Sequence, residues 1–150
     1  LSKIEKEKVF IMNASYEEKT VWITFVSLFL VFSGYVATAS QMLVAGETAA
    51  TPFLPIIAQT ILVLVIIVAV ASSVVAIISR PDGRDERDRL IEWKAEATAC
   101  KALELFALAA IIATAFPAPP AWIANGLLLG MFIQEFIKCG LQIHYYRNGM

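Results

Sequence analysis

The sequence predicts an all-α polytopic membrane protein: four transmembrane helices, N-in/C-in, with the third helix extended into the cytoplasm. Three observations predict it. Hydrophobic residues make up 59% of the 150 positions and mean hydropathy is +0.71, too apolar for a soluble domain of this length. Four long apolar runs alternate with polar connections, and the chain has room for about four spans of roughly 20 residues each, with little left over. All twelve Lys and Arg side chains fall within residues 3–19, 80–101 and 138–147, whereas the connections at 41–55 and 116–121 contain none. That alternation is the positive-inside pattern, and it places both termini and the middle loop on the cytoplasmic side of the cell inner membrane.

The chain then divides into a cytoplasmic N-terminal segment, residues 1–20, and a four-helix transmembrane domain, 21–150, with a cytoplasmic loop at 80–94. Residues 3–19 mix acids and bases, as a short interfacial helix would; the Asn13-Ala14-Ser15 sequon lies on the cytoplasmic side and carries no weight. The first span is expected at 21–39, with Trp22 at the headgroup boundary. It is long enough to cross the bilayer, so no cleavable signal peptide is expected. The second, 55–79, opens on Pro55, which a first helical turn tolerates; being apolar on every side, it is expected to face lipid. Arg80-Pro81-Asp82-Gly83 reads as a turn. A helix then starts near Asp85 with acids at the positive end of its dipole, and Arg84/Asp88 and Asp85/Arg89 are spaced as i,i+4 pairs. It passes Trp93 and becomes the third span, 95–116. Pro117, Pro119 and Pro120 force a stiff reversal into the fourth, 121–144.

Several function classes lose support. A net charge of −1 offers no footprint for nucleic acid. Cys100 and Cys139 fall near the reducing side, where a structural disulfide is not expected. No nucleophile–base arrangement, phosphate-binding glycine loop or pair of acids in an aqueous pocket is visible, so no enzyme and no cofactor is expected.

The most informative constellation spans the last hairpin. Cys100-Lys101-x-x-Glu104 enters the membrane and Glu135-x-x-Lys138-Cys139 leaves it. The two are mirror images about a centre between Pro119 and Pro120, and Glu92 and Arg147 share that centre. Symmetry of this kind places Lys101, Glu104, Glu135 and Lys138 in one layer, with Glu104 and Glu135 roughly 10 to 14 Å inside the cytoplasmic boundary. Charges at that depth are costly and should face the interior in pairs. Crossed bridges, Glu104 with Lys138 and Lys101 with Glu135, are one reading, and lysines snorkelling toward the cytoplasm are another. An ion- or proton-handling acid is a third. A metal site from Glu96, Cys100 and Glu104 on one helix face and Glu135, Cys139 and Gln142 on the other, with His144, is a weaker fourth, lacking His-x-x-x-His spacing. Gly126 and Gly130 form a small-xxx-small ridge for close helix packing, within the chain or between copies.

Asp85-Glu86-Arg87-Asp88-Arg89-Leu90-Ile91, together with Tyr145-Tyr146-Arg147-Asn148-Gly149, resembles a family of small predicted membrane proteins of archaea and bacteria. These have about four spans, a cytoplasmic Asp-Glu-Arg-Asp motif and often a Tyr-Arg-x-Gly tail. The similarity covers chiefly residues 80–150. It implies topology rather than an activity, and a cytoplasmic surface on which Arg87 and Arg147 meet Glu86 and Glu92.

Two functions follow as expectations. One is a non-enzymatic membrane module: a scaffold, regulatory or assembly subunit whose partners are the lipid bilayer and a homo-oligomer or larger membrane complex. The other is a small oligomeric proton- or cation-coupled transporter or channel using Glu104 and Glu135. Small multidrug transporters rely on an unpaired acid in the first span, and residues 21–39 and 55–79 contain none.

Overall fold

A computed structural model describes residues 16–78 and 85–149. The first fifteen residues of the expected N-terminal segment 1–20, the Arg80–Gly83 turn and the Arg84/Asp88 pair lie outside the described residues. Those described fold into four helices, α1 (Tyr16–Val44), α2 (Leu54–Ile78), α3 (Glu86–Thr114) and α4 (Pro120–Asn148), with one 3₁₀ turn at Thr51–Phe53. Each of the four is long and apolar enough to cross a membrane.

Local chemistry sets each boundary. α1 ends in a Schellman motif: Gly46 takes a positive φ of 87°, its N–H donates to the Leu43 carbonyl, and the Glu47 N–H donates back to Met42. Only glycine adopts that backbone without strain. α3 starts at a capping box, where the Asp85 carboxylate accepts from the Glu86 N–H at 2.7 Å and Asp88 accepts from the Asp85 N–H at 3.2 Å. The expected Asp85/Arg89 ion pair is not formed, because the Asp85 carboxylate is taken up by the cap. α4 opens on Pro120 at its first turn and ends at Gly149, where a φ of 77° stops the helix. The glycine of the Tyr-Arg-x-Gly tail is therefore a helix stop.

Hydroxyls along the apolar helices are satisfied within their own turns. Thr20, Thr24, Ser33, Thr38, Thr60, Ser73 and Thr98 each donate to the carbonyl four residues back, at 2.7 to 3.1 Å. A hydroxyl bonded in this way can face hydrocarbon without an orphaned donor.

The helices pack chiefly as α2 on α1, α1 on α4 and α4 on α3, so α2 and α3 are the outer members. α4 is the most buried of the four helices and α2 the least. Along the α1–α4 seam, Phe32 stacks on Phe132 with ring centroids 4.3 Å apart, and Phe25 meets Phe136 edge-on at 5.6 Å. At the proline-rich end, Phe53 and Ala121 are fully buried, and the Thr48 carbonyl accepts from the Ala121 N–H. The α3–α4 seam is built on Ile91, Ala95 and Ala99, none of which retains any exposure. Small residues at four-residue spacing let the two backbones approach closely.

A polar tie crosses the middle of the α1–α4 seam. The Tyr35 hydroxyl donates to Asn125 Oδ1, and Asn125 Nδ2 donates to the Ala121 carbonyl at 2.7 Å. Tyr35→Phe is expected to lower stability by about 1 kcal/mol, because Asn125 then keeps an unmatched acceptor in an apolar seam. Thr38→Val removes an exposed hydroxyl bonded within its own helix and should be nearly neutral. Thermal unfolding of the two variants in the same detergent checks the contrast.

Candidate functional site

The charged end of the bundle is where α1 and α3 begin and α2 and α4 finish. Its centre is Lys138 on α4. The Lys138 ammonium lies 2.9 Å from Glu135 Oε2, one turn back on the same helix, and 3.2 Å from Glu96 Oε2 across the seam on α3. Glu96 Oε1 also accepts from Gln134 Nε2 at 3.2 Å and from the Cys100 thiol at 3.7 Å. One ammonium thus bridges two carboxylates, and the carboxylate on α3 is held by two separate side chains of α4. Gln134 and Cys139 are buried beside it, whereas Glu96, Glu135 and Lys138 are only partly covered.

This layer differs from the one the mirror predicts. Lys138 bonds Glu96 rather than Glu104, and neither crossed bridge forms among the described residues. Lys101 and Glu104 are both exposed on the outer face of α3. The physical reason is the turn. α3 stops at Thr114 and α4 starts at Pro120, so the hairpin is centred on Pro117 rather than between Pro119 and Pro120. Glu96 and Lys138 are equally far from Pro117, and so face each other at one level.

The metal readings disperse for the same reason. Glu96 and Cys100 touch, Cys139 is buried on α4, and Glu104 is exposed, about two turns along α3 from Glu96. Among the described residues no group of three or more His, Cys, Asp or Glu side chains is placed to hold a metal ion. Cys100 and Cys139 are both free thiols. His144 is exposed, and its Nδ1 lies 3.0 Å from the Asn148 side chain.

The glycine ridge divides. A Cβ on Gly130 would lie 2.6 Å from Phe106 Cγ, so this position carries the close α3–α4 approach; a Cβ on Gly126 would meet nothing within 4 Å.

Around the layer, the end of α4 is tied to the first turns of α1 and to α3. Arg147 Nε lies 3.0 Å from Glu18 Oε1 on α1, and its guanidinium lies over the Trp22 ring at 5.2 Å. Lys94 sits 4.9 Å above the ring of Tyr145, coupling α3 to the end of α4. The residues of the Asp-Glu-Arg-Asp segment part company, since Asp85 and Asp88 cap α3 while Glu86 and Arg87 are exposed. Between α1, α3 and α4 a cavity of about 190 Å³ is lined by Glu17, Thr20, Asp88, Glu92, Glu135 and Lys138.

Sequence reasoning weighed Glu96 only as a metal ligand. The signal that could have found its role was its spacing from Pro117 relative to Lys138. It passed over Tyr35, which nothing but its burial distinguishes from an interfacial tyrosine. Comparison with protein-family models, with curated proteins and with solved structures finds no match for this chain.

Proposed function

We propose that this chain is a non-enzymatic integral membrane module, a scaffold, regulatory or assembly subunit of the inner membrane with both termini in the cytoplasm. One observation carries the reading: Lys138, Glu96, Glu135 and Gln134 are joined in a single tie between α3 and α4. A carrier acid needs to load and release its ion, whereas these carboxylates share one ammonium and fix helix register. The outward apolar faces of α2, including Leu62, Val65, Ile66 and Val70, suit lipid or a partner helix. Fusing a periplasm-active and a cytoplasm-active reporter to each terminus tests the threading; activity of the periplasmic reporter at either end would overturn it.

A second reading, a proton- or cation-coupled transporter, is favoured by the cavity that reaches Glu135. Glu104 has no place in that cavity, so the reading narrows to Glu135. Proton and cation flux in proteoliposomes decides between the two. The module reading expects no flux from the wild type, and flux that Glu135→Gln abolishes in a folded protein would replace it with the transporter.

A further inference from the structure

We infer that the outer face of α3 is a docking surface for a second copy of this chain, closed by reciprocal Lys101–Glu104 ion pairs across a two-fold axis. The inference rests on the membrane reading above. Ala97, Lys101, Glu104 and Leu108 recur at alternating spacings of four and three residues, which aligns them in one stripe along the helix. All four are exposed, whereas the opposite stripe of Ile91, Ala95 and Ala99 is buried against α4. Leu105, Ile111 and Ile112 flank the stripe and are 66%, 67% and 52% exposed. Within a span, an ammonium and a carboxylate on the outward face are expensive in lipid and call for partners. Lys101 can snorkel toward the headgroups; the shorter Glu104, about one turn deeper, has no such escape.

The charge pattern selects the partner. Two copies threaded alike relate through an axis along the membrane normal, so their α3 helices pair in parallel. In a parallel pair of stripes with this spacing, each knob of one helix packs beside its own counterpart and between the stripe residues three and four positions away on the other. Lys101 of each copy then meets Glu104 of its neighbour, an axial offset of about 4.5 Å that a lysine stem spans. The four charges form a neutral ring of alternating sign, and Ala97 gives the helices room to approach. The stripe is self-complementary, as a two-fold interface requires.

Two differently tagged copies of the full chain, co-expressed and purified in mild detergent and in nanodiscs, provide the test. Wild-type tags are expected to co-purify. Glu104→Gln, a mild change that leaves the Lys138 tie intact, should reduce that association about tenfold by leaving Lys101 without its counter-charge. Lys101→Glu and Glu104→Lys should each fail to self-associate, yet pair with one another when co-expressed, because one then presents two acids and the other two bases. Wild-type tags that stay apart, or Glu104→Gln associating like wild type, would overturn the dimer. An alkaline carbonate wash of the membranes separates this failure from that of the underlying reading. Release of the chain by carbonate sinks both, whereas retention with the tags apart sinks the dimer alone.

Discussion

Lys138→Glu is expected to be the most damaging single substitution at the charged end, separating α3 from α4 while leaving the α1–α2 pair in place. Lys138 is the sole cation of the tie, and it touches both Glu96 and Glu135. Reversing it puts three carboxylates in one layer and removes the group that compensates two of them. Losing one partner of a fully buried pair costs about 3 to 5 kcal/mol. Here the lysine side chain keeps 23% of its exposure and the glutamates 43% and 37%, so screening lowers the expected loss to roughly 2 kcal/mol. Lys138→Arg keeps the charge and should lose less, though a planar fork does not reproduce a rotating ammonium. Adding Glu96→Lys to Lys138→Glu should recover part of the loss, since an ammonium on α3 would again bridge the seam, although Glu135 would remain beside the new acid. Adding Glu104→Lys instead should recover nothing, because Glu104 is exposed and lies about 12 Å further along α3 than Glu96. Thermal unfolding in detergent for this set reads the coupling directly. A Lys138→Glu protein as stable as wild type, or rescue by residue 104 in place of 96, would show that the tie is not what holds the hairpin.

How far the fold was legible follows from which interactions are local. The four long apolar helices follow from hydropathy and length, and the starts of α3 and α4 from residues that act on their own backbone: Asp85 and Asp88 as a capping box, Pro120 at a first turn. Gly46 was as readable as these, since a glycine after an apolar run is a helix stop. The site was legible in composition but not in register. Lys138 and Glu135 meet in the tie, whereas Lys101 and Glu104 are exposed outside it. Register across a hairpin depends on how many residues the turn removes from helical geometry, and Phe116-Pro117-Ala118-Pro119 does not advance at the helical rise. An error of a few residues at the turn moves a whole helix face at the other end. Which acid meets Lys138 is therefore a tertiary fact, and Tyr35 with Asn125 is another: neither residue carries a local sign of its partner on a helix 90 residues away.

Gly130→Leu should break the same hairpin from its middle, by sterics rather than charge. On α4, Gly130 is buried against Phe106 of α3, and an ideal Cβ there would sit 2.5 Å from Phe106 Cβ and 2.6 Å from Phe106 Cγ. The first of these is the base of the side chain, which cannot swing aside by changing rotamer, so the helices must move apart. Overpacking of this kind costs about 1 to 3 kcal/mol, and a four-carbon side chain belongs at the upper end. Even Gly130→Ala should be destabilising, against the usual gain of about 1 kcal/mol for alanine over glycine inside a helix. Gly126→Ala, one turn away with nothing within 4 Å of its added Cβ, should show that gain. The sign of the two alanine substitutions is thus expected to differ within a single turn of one helix. Phe106→Gly removes the Cβ that Gly130→Ala strikes, so the double variant should be less destabilised than the sum of the singles. If Gly130→Ala and Gly126→Ala prove equally stabilising, the close approach of α3 to α4 at this level does not exist. The separation would then propagate to Glu96 and Lys138, whose contact depends on the same seam.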